Sequence, residues 1–203
     1  MMLMLLMAVV GISMTSCLSD ADNNNKNVLS PAEKSAMITE MAGEYSGHIY
    51  FINDSARVDS ILTYAGVTTD SLFTIHNFPY EALIPGVQQE SMREVLSHAG
   101  QAIFQEAIRF YISNVDQKGL YTFWALPLTE DQLAKKINYD GTEHEIKVKF
   151  SGTVLNANLY TQVYYPCGEF YKNEIIVYVL LDSIVVDKET WSVNRVLFFH
   201  GKK

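Results

Sequence analysis

Few residues in this chain have the types and spacing that catalysis demands. The histidines are His48, His76, His98, His144 and His200. None forms the His-Glu-x-x-His pattern that sets two imidazoles and a general base on one helical face, and none lies near a second cysteine, so no metal site is expected. Glu143-His144-Glu145 has the composition of a ligand cluster. On a strand, however, neighbouring side chains point to opposite faces, so His144 parts from both glutamates and shares a side with Ile146 at the edge of the core. Ser46 stands in Tyr45-Ser46-Gly47-His48, without the Gly-x-Ser-x-Gly elbow that exposes a nucleophile, and reads as a strand serine. The eleven glycines are scattered, with neither a phosphate-cradling loop nor a dinucleotide fingerprint among them. No catalytic residue is assigned and no cofactor is expected. Paired glycosidase acids stay open, because two such carboxylates can lie far apart in the chain.

The two cysteines differ. Cys167, in Tyr165-Pro166-Cys167-Gly168, reads as a half-buried turn thiol. A reactive thiolate needs a nearby imidazole or helix N-terminus to lower its pKa, and nothing local supplies one. Cys17 ends an apolar run from Met1 closed by the small pair Thr15-Ser16, and polar sequence follows at once. That is the form of an export signal. A membrane-spanning helix needs roughly 20 apolar residues, which this run does not reach. Ordinary signal cleavage wants small residues at −1 and −3, and Met14 is not small. Met14-Thr15-Ser16-Cys17 resembles a bacterial lipobox, which makes Cys17 the lipidated first residue of the mature chain. The expected organisation is a signal peptide over 1–16, a flexible polar tether over 17–29, and one globular domain over 30–203.

Aromatic side chains are the one compositional hint of a ligand: twelve Tyr, ten Phe and two Trp. Thr153 to Tyr165 alternates, and Tyr160 and Tyr164 fall on the polar side with Asn156, Asn158 and Gln162. Such a face can stack on a sugar or anchor a protein, can be the inner side of a second layer, or can simply reflect strand propensity. Tyr160 and Tyr164 are the candidate ligand-binding residues.

These residues must be positioned by a mostly β scaffold. Ser30-Pro31-Ala32-Glu33 fits a capping box that opens a helix to about Met41. Tyr45 to Ile52, Val58 to Tyr64 and Ser71 to Phe78 have strand composition, and Asn53-Asp54-Ser55 is a turn. The middle changes period. Met92, Val95, Leu96 and Ala99 take helical spacing, and so do Phe104, Ile108 and Tyr111, with Gly100 between. A helical insert over about 87–114 is expected, then a strand over Leu120 to Leu126 and a short helix from Thr129 to about Ile137. Glu143 to Phe150 alternates strictly, with His144, Ile146, Val148 and Phe150 on one side and only charges on the other. Ile175 to Leu181 is apolar throughout, as a strand buried on both faces requires, and Asp187-Lys188-Glu189 marks a final hairpin. The expected fold is mainly β (α+β): one antiparallel β-rich domain, barrel-like or a sandwich, with a helical insert in the middle.

The lipobox, the asparagine-rich tether, the opening Gly43-Glu44-Tyr45-Ser46-Gly47 and the ending His200-Gly201-Lys202-Lys203 together resemble the small uncharacterised outer-membrane lipoproteins of gut Bacteroidota. The Gly43, Tyr45 and Gly47 opening is also similar to lipocalin-like barrels. The resemblance implies an outer-membrane, lipid-anchored protein, surface-exposed or facing the periplasm, and carries no assigned activity. A net charge of −8 excludes nucleic acid as partner and excludes attachment to anionic lipid by charge, which leaves the membrane to the acyl chains. The function expected is a non-enzymatic envelope binding module for a glycan, peptide or small apolar ligand. The alternatives are an envelope hydrolase and a structural subunit of an envelope complex.

Overall fold

Ser30 caps the first helix, α1 (Pro31–Met41), in the manner its spacing predicts. Its hydroxyl accepts the Glu33 N–H, and its own N–H donates to the Glu33 carboxylate, so two otherwise orphaned donors are satisfied. Ile38 and Met41 are the residues this helix buries. The structure is a computed structural model, and it describes residues 29–110, 119–129, 133–151, 154–155, 163–164 and 167–203.

After α1 come β1 (Gly43–Ile52), β2 (Val58–Val67) and β3 (Leu72–Pro79), then a 3-10 turn (Tyr80–Leu83) and helix α2 (Glu90–Ser97). Next are β4 (Gln101–Phe110), β5 (Tyr121–Pro127), β6 (Lys135–Tyr139) and β7 (Thr142–Phe150). A separate small ladder, β8 (Val154–Leu155) with β9 (Val163–Tyr164), precedes β10 (Cys167–Tyr171), β11 (Glu174–Val186) and β12 (Glu189–Lys202). The order β10-β5-β4-β3-β2-β1-β12-β11 closes on itself through β10–β11, so eight strands form an antiparallel barrel. Of the two expected architectures, the barrel is the one formed. Closure leaves these eight strands without an open edge for stray pairing.

β11 serves two neighbours on one side. Its first residues pair with β10, and from Leu181 to Val186 it pairs with β7, across a register shift between Leu181 and Ser183. β7 and β6 therefore extend the sheet beyond the barrel as a flap. Phe78, Phe104 and Phe150 meet where the flap joins the barrel wall, with ring centroids 4.6–6.2 Å apart.

The interior is filled by side chains. Tyr45, Phe73, Phe104, Phe123, Phe170 and Phe199 are all buried, and Phe73 of β3 reaches Phe199 of β12 at 5.7 Å. The two helical pieces engage opposite ends. At one, the Tyr45 hydroxyl donates to the Met41 carbonyl and the Lys203 ammonium to the Glu40 carbonyl. At the other, the Tyr80 hydroxyl donates to the Leu133 carbonyl (2.9 Å), and Trp191 Nε1–H donates to the Gly86 carbonyl (3.1 Å). Burial pushes the Tyr80 hydroxyl up to about 12.

Three expectations are corrected. Only the first part of the helical insert, α2, is a helix; residues 101–110 form β4. Helical spacing of Phe104 and Ile108 coexists there with alternation of Phe104, Ile108 and Phe110, and pairing to β3 and β5 decides for the strand. The short helix expected to Ile137 is instead β6 at its described end, because β7 offers a ladder partner. Cys167 begins β10 opposite Trp124 rather than sitting in a turn. It is buried and forms no disulfide.

Candidate functional site

The outward rows of β1, β12 and β11 meet in a groove. Alternation along β1 buries Tyr45, Ile49 and Phe51 and turns Ser46, His48 and Tyr50 outward. β12 likewise buries Leu197 and Phe199 and turns out Phe198, His200 and Lys202. Register sets Ser46 opposite Lys202, His48 opposite His200, and Tyr50 opposite Phe198. On the far side of β12, Glu174 stands opposite Lys202.

Ser46, His48, Tyr50, Glu174, His200 and Lys202 line an open groove of about 290 Å³, with Gly47 and Gly201 at its floor. The two glycines are cross-strand partners, and a Cβ on Gly47 would strike the His200 carbonyl, so only glycine permits this close approach of β1 and β12.

One wall is aromatic. Tyr50 and Phe198 stack with centroids 4.8 Å apart and planes within 9° of parallel, and Tyr178 tilts against Phe198 at 5.8 Å. The opposite wall is charged. Glu174 accepts from Lys202 Nζ at 3.3 Å and lies 3.5 Å from His200 Nε2. The lysine hydrogen bond, aided by its charge and by His200, holds the Glu174 carboxyl below the ordinary carboxylate range. Beside the groove, β2 exposes Leu62 (51%) and Tyr64 (50%), paired to His48 and Ser46. An apolar strip therefore continues the aromatic wall.

This arrangement offers a fixed carboxylate, an ammonium, two imidazoles and aromatic rings over a closed sheet. The backbone hydrogen bonds of β1 and β12 are taken up by the ladder, so recognition falls to side chains.

A second cluster lies on the flap. His144 Nδ1 meets Asp187 Oδ2 at 2.9 Å, and Asp187 Oδ1 accepts the Glu145 N–H at 2.9 Å. Tyr139 lies between His144 and His98, with His98 stacked on it at 4.2 Å. Ser97 Oγ lies 3.0 Å from His98 Nδ1 but donates to the Glu94 carbonyl, a contact local to the end of α2. The Asp187–His144 pair pins the β11–β12 turn to β7. The hydrogen-bond partner of the His144 ring among the described residues is Asp187. Among the described residues no group of three or more His, Cys, Asp and Glu is arranged to hold a metal ion, and no helix is long and apolar enough to cross a membrane.

The sequence-derived candidates are not among the described side chains. Cys17 and Tyr160 lie outside the described residues. Tyr164 belongs to β9, and its side chain is also outside them. The groove residues His48, Tyr50, Glu174, His200 and Lys202 were not singled out as a site by the sequence. The signal available was the alternation of β1 and β12, but their partnership joins the first strand to the last.

The family described as "Domain of unknown function (DUF4840)" matches residues 40–186, most of the chain, and the chain belongs to that family. No curated protein and no solved structure matches it.

Proposed function

We propose that this DUF4840 member is a non-enzymatic binding module of the cell envelope, anchored by lipid on Cys17, that takes a neutral glycan in the groove of β1, β12 and β11. The observation that carries the reading is Tyr50, backed by Phe198, lining one groove with a carboxylate held between Lys202 and His200. Aromatic rings pack on the C–H faces of sugars, and an ionised carboxylate accepts from vicinal hydroxyls. The interior offers a worse home for a small apolar ligand, because aromatic side chains already fill it. The Met14-Thr15-Ser16-Cys17 lipobox and the polar residues after it support the anchor and an outer-membrane location.

Calorimetric titration of the mature chain with neutral oligosaccharides tests the reading. Tyr50→Ala and Glu174→Gln each weaken binding about tenfold, since an aromatic contact contributes about 0.5–1.5 kcal/mol and a hydrogen bond to a charged group about 1.5–3 kcal/mol. Saturable glycan binding that both variants leave untouched would remove the groove from the account. A protein partner is the second reading, favoured by the exposed Leu62 and Tyr64. It takes precedence if glycans fail to bind and Leu62→Asp abolishes a pull-down from envelope extracts.

A further inference from the structure

Glu106 stands in the middle of β4 with no exposed surface. Neither carboxyl oxygen has a hydrogen-bond partner. Phe104 and Ile108 flank it on the same inward row, with Phe73 opposite on β3 and Pro127 opposite on β5. Proline brings no N–H to offer. The other inward titratable groups are engaged away from it. Tyr45 bonds the Met41 carbonyl, Tyr121 the Glu40 carboxylate, and Arg195 the Ile52 carbonyl at 3.3 Å. β3 presents Phe73 and Ile75, and β5 presents Phe123 and Ala125, so neither neighbour brings a charge. Burial alone holds the acid well above the ordinary carboxylate range.

Its position along the strand matters as much as its burial. Glu106 with Pro127 is the last pair of the β4–β5 ladder. From Gln105 back to Gln101, β4 keeps its ladder to β3 and meets the flap through rings. Phe104 lies 4.6 Å from Phe150, and Phe78 closes the third side. Glu106 thus sits where hydrogen-bonded wall gives way to side-chain packing.

We propose that Glu106 is a proton-controlled latch on the β4–β7 junction: the neutral acid lets Phe78, Phe104 and Phe150 stay closed, and its ionisation opens the junction and admits water to the barrel. An unpaired carboxylate does not persist in an apolar interior, so losing the proton and gaining water are one event. The packed junction yields first: once the ring contacts part, water reaches the β4 and β7 ladders beneath them and their hydrogen bonds open locally, while the rest of the barrel stays closed. The closed form binds the proton more tightly than the open form. Closure is therefore fully present at pH below the ordinary carboxylate value and weakens as pH rises from there towards the raised one. Across that window the open population grows about tenfold per pH unit.

Hydrogen exchange of the full chain, followed peptide by peptide from pH 5 to 9, tests this. After correction for intrinsic exchange, amides in 101–105 and 146–150 lose protection about tenfold per pH unit in the wild type, while the β1–β12 ladder does not. Glu106→Gln, which keeps the shape and removes the titration, flattens that dependence. The same slope in Glu106→Gln, or none in the wild type, overturns the latch. If the variant does not fold, carboxyl-carbon NMR of the wild type decides. A Glu106 resonance titrating well above the other glutamates, together with loss of 101–105 protection at the same pH, supports the latch, and titration in the ordinary range overturns it.

Discussion

Asp54, in the turn between β1 and β2, is half exposed yet holds two distant pieces of chain. One carboxyl oxygen accepts the Gly86 N–H at 2.7 Å and the other meets Arg93 of α2 at 2.9 Å. The Gly86 hydrogen bond first, then Arg93, lowers its pKa below the ordinary value of 3.8. A carboxyl depressed in the fold adds stability that is present above its unfolded pKa and is lost as pH falls through the folded one. Asp54→Ala is expected to lower unfolding stability by about 1 kcal/mol near neutral pH, since solvent screens a half-exposed pair. The loss shrinks as pH falls from the ordinary value through the lowered folded one. Chemical denaturation of both proteins at pH 7 and pH 2.5 checks it, and an equal difference at both values would detach the effect from the carboxylate. This contact was not legible in the sequence, where Asn53-Asp54-Ser55 marks only a turn. His144 was half legible. Alternation put it at the core edge, where it is, but its Asp187 partner is 43 residues away.

At the scale of elements, legibility followed periodicity. β1, β2, β3, β7, β11 and β12 were each apparent from alternation or from a continuous apolar run. β4 was not, for a reason lodged in one residue. An inward row of Phe104, Glu106, Ile108 and Phe110 would read as a strand if its second member were apolar. The glutamate breaks that row and leaves the helical spacing of Phe104 and Ile108 as the stronger signal. The buried acid that hides the strand is also the group proposed to control it, and functional or strained sites are where pattern and fold are expected to disagree. The β1–β12 contact was hidden differently, since it joins the chain's first strand to its last. Gly47 permits it, and Gly47→Ala sets a methyl against the His200 carbonyl. Overpacking of this kind costs about 1–3 kcal/mol, and the groove floor must shift with it. Thermal unfolding and glycan titration of that variant should fall together. A stable Gly47→Ala protein with unchanged binding would show that the close approach is dispensable.

For the whole molecule, the proposed membrane location has to be reconciled with a net charge of −8. Anionic headgroups repel such a chain, so charge supplies no reserve of attachment if the anchor is lost. The proposed attachment is acylation of Cys17, with each buried methylene contributing about 0.8 kcal/mol and two or more chains holding stably. The tether between Cys17 and α1 would span at most about 47 Å if fully extended. The C-terminal end of α1 meets the barrel where Lys203 reaches Glu40, which is also where Ser46, Glu174 and Lys202 open the groove. The proposed binding face thus lies at the barrel end that α1 meets. Cys17→Ala in the full-length chain should abolish acyl labelling and move the protein from the membrane to the soluble fraction at moderate salt. Its affinity for a soluble glycan should stay unchanged, because no groove residue is altered. Retention of both label and membrane would place the anchor elsewhere. Loss of glycan affinity alongside release would mean that the anchored end shapes the groove as well as tethering it.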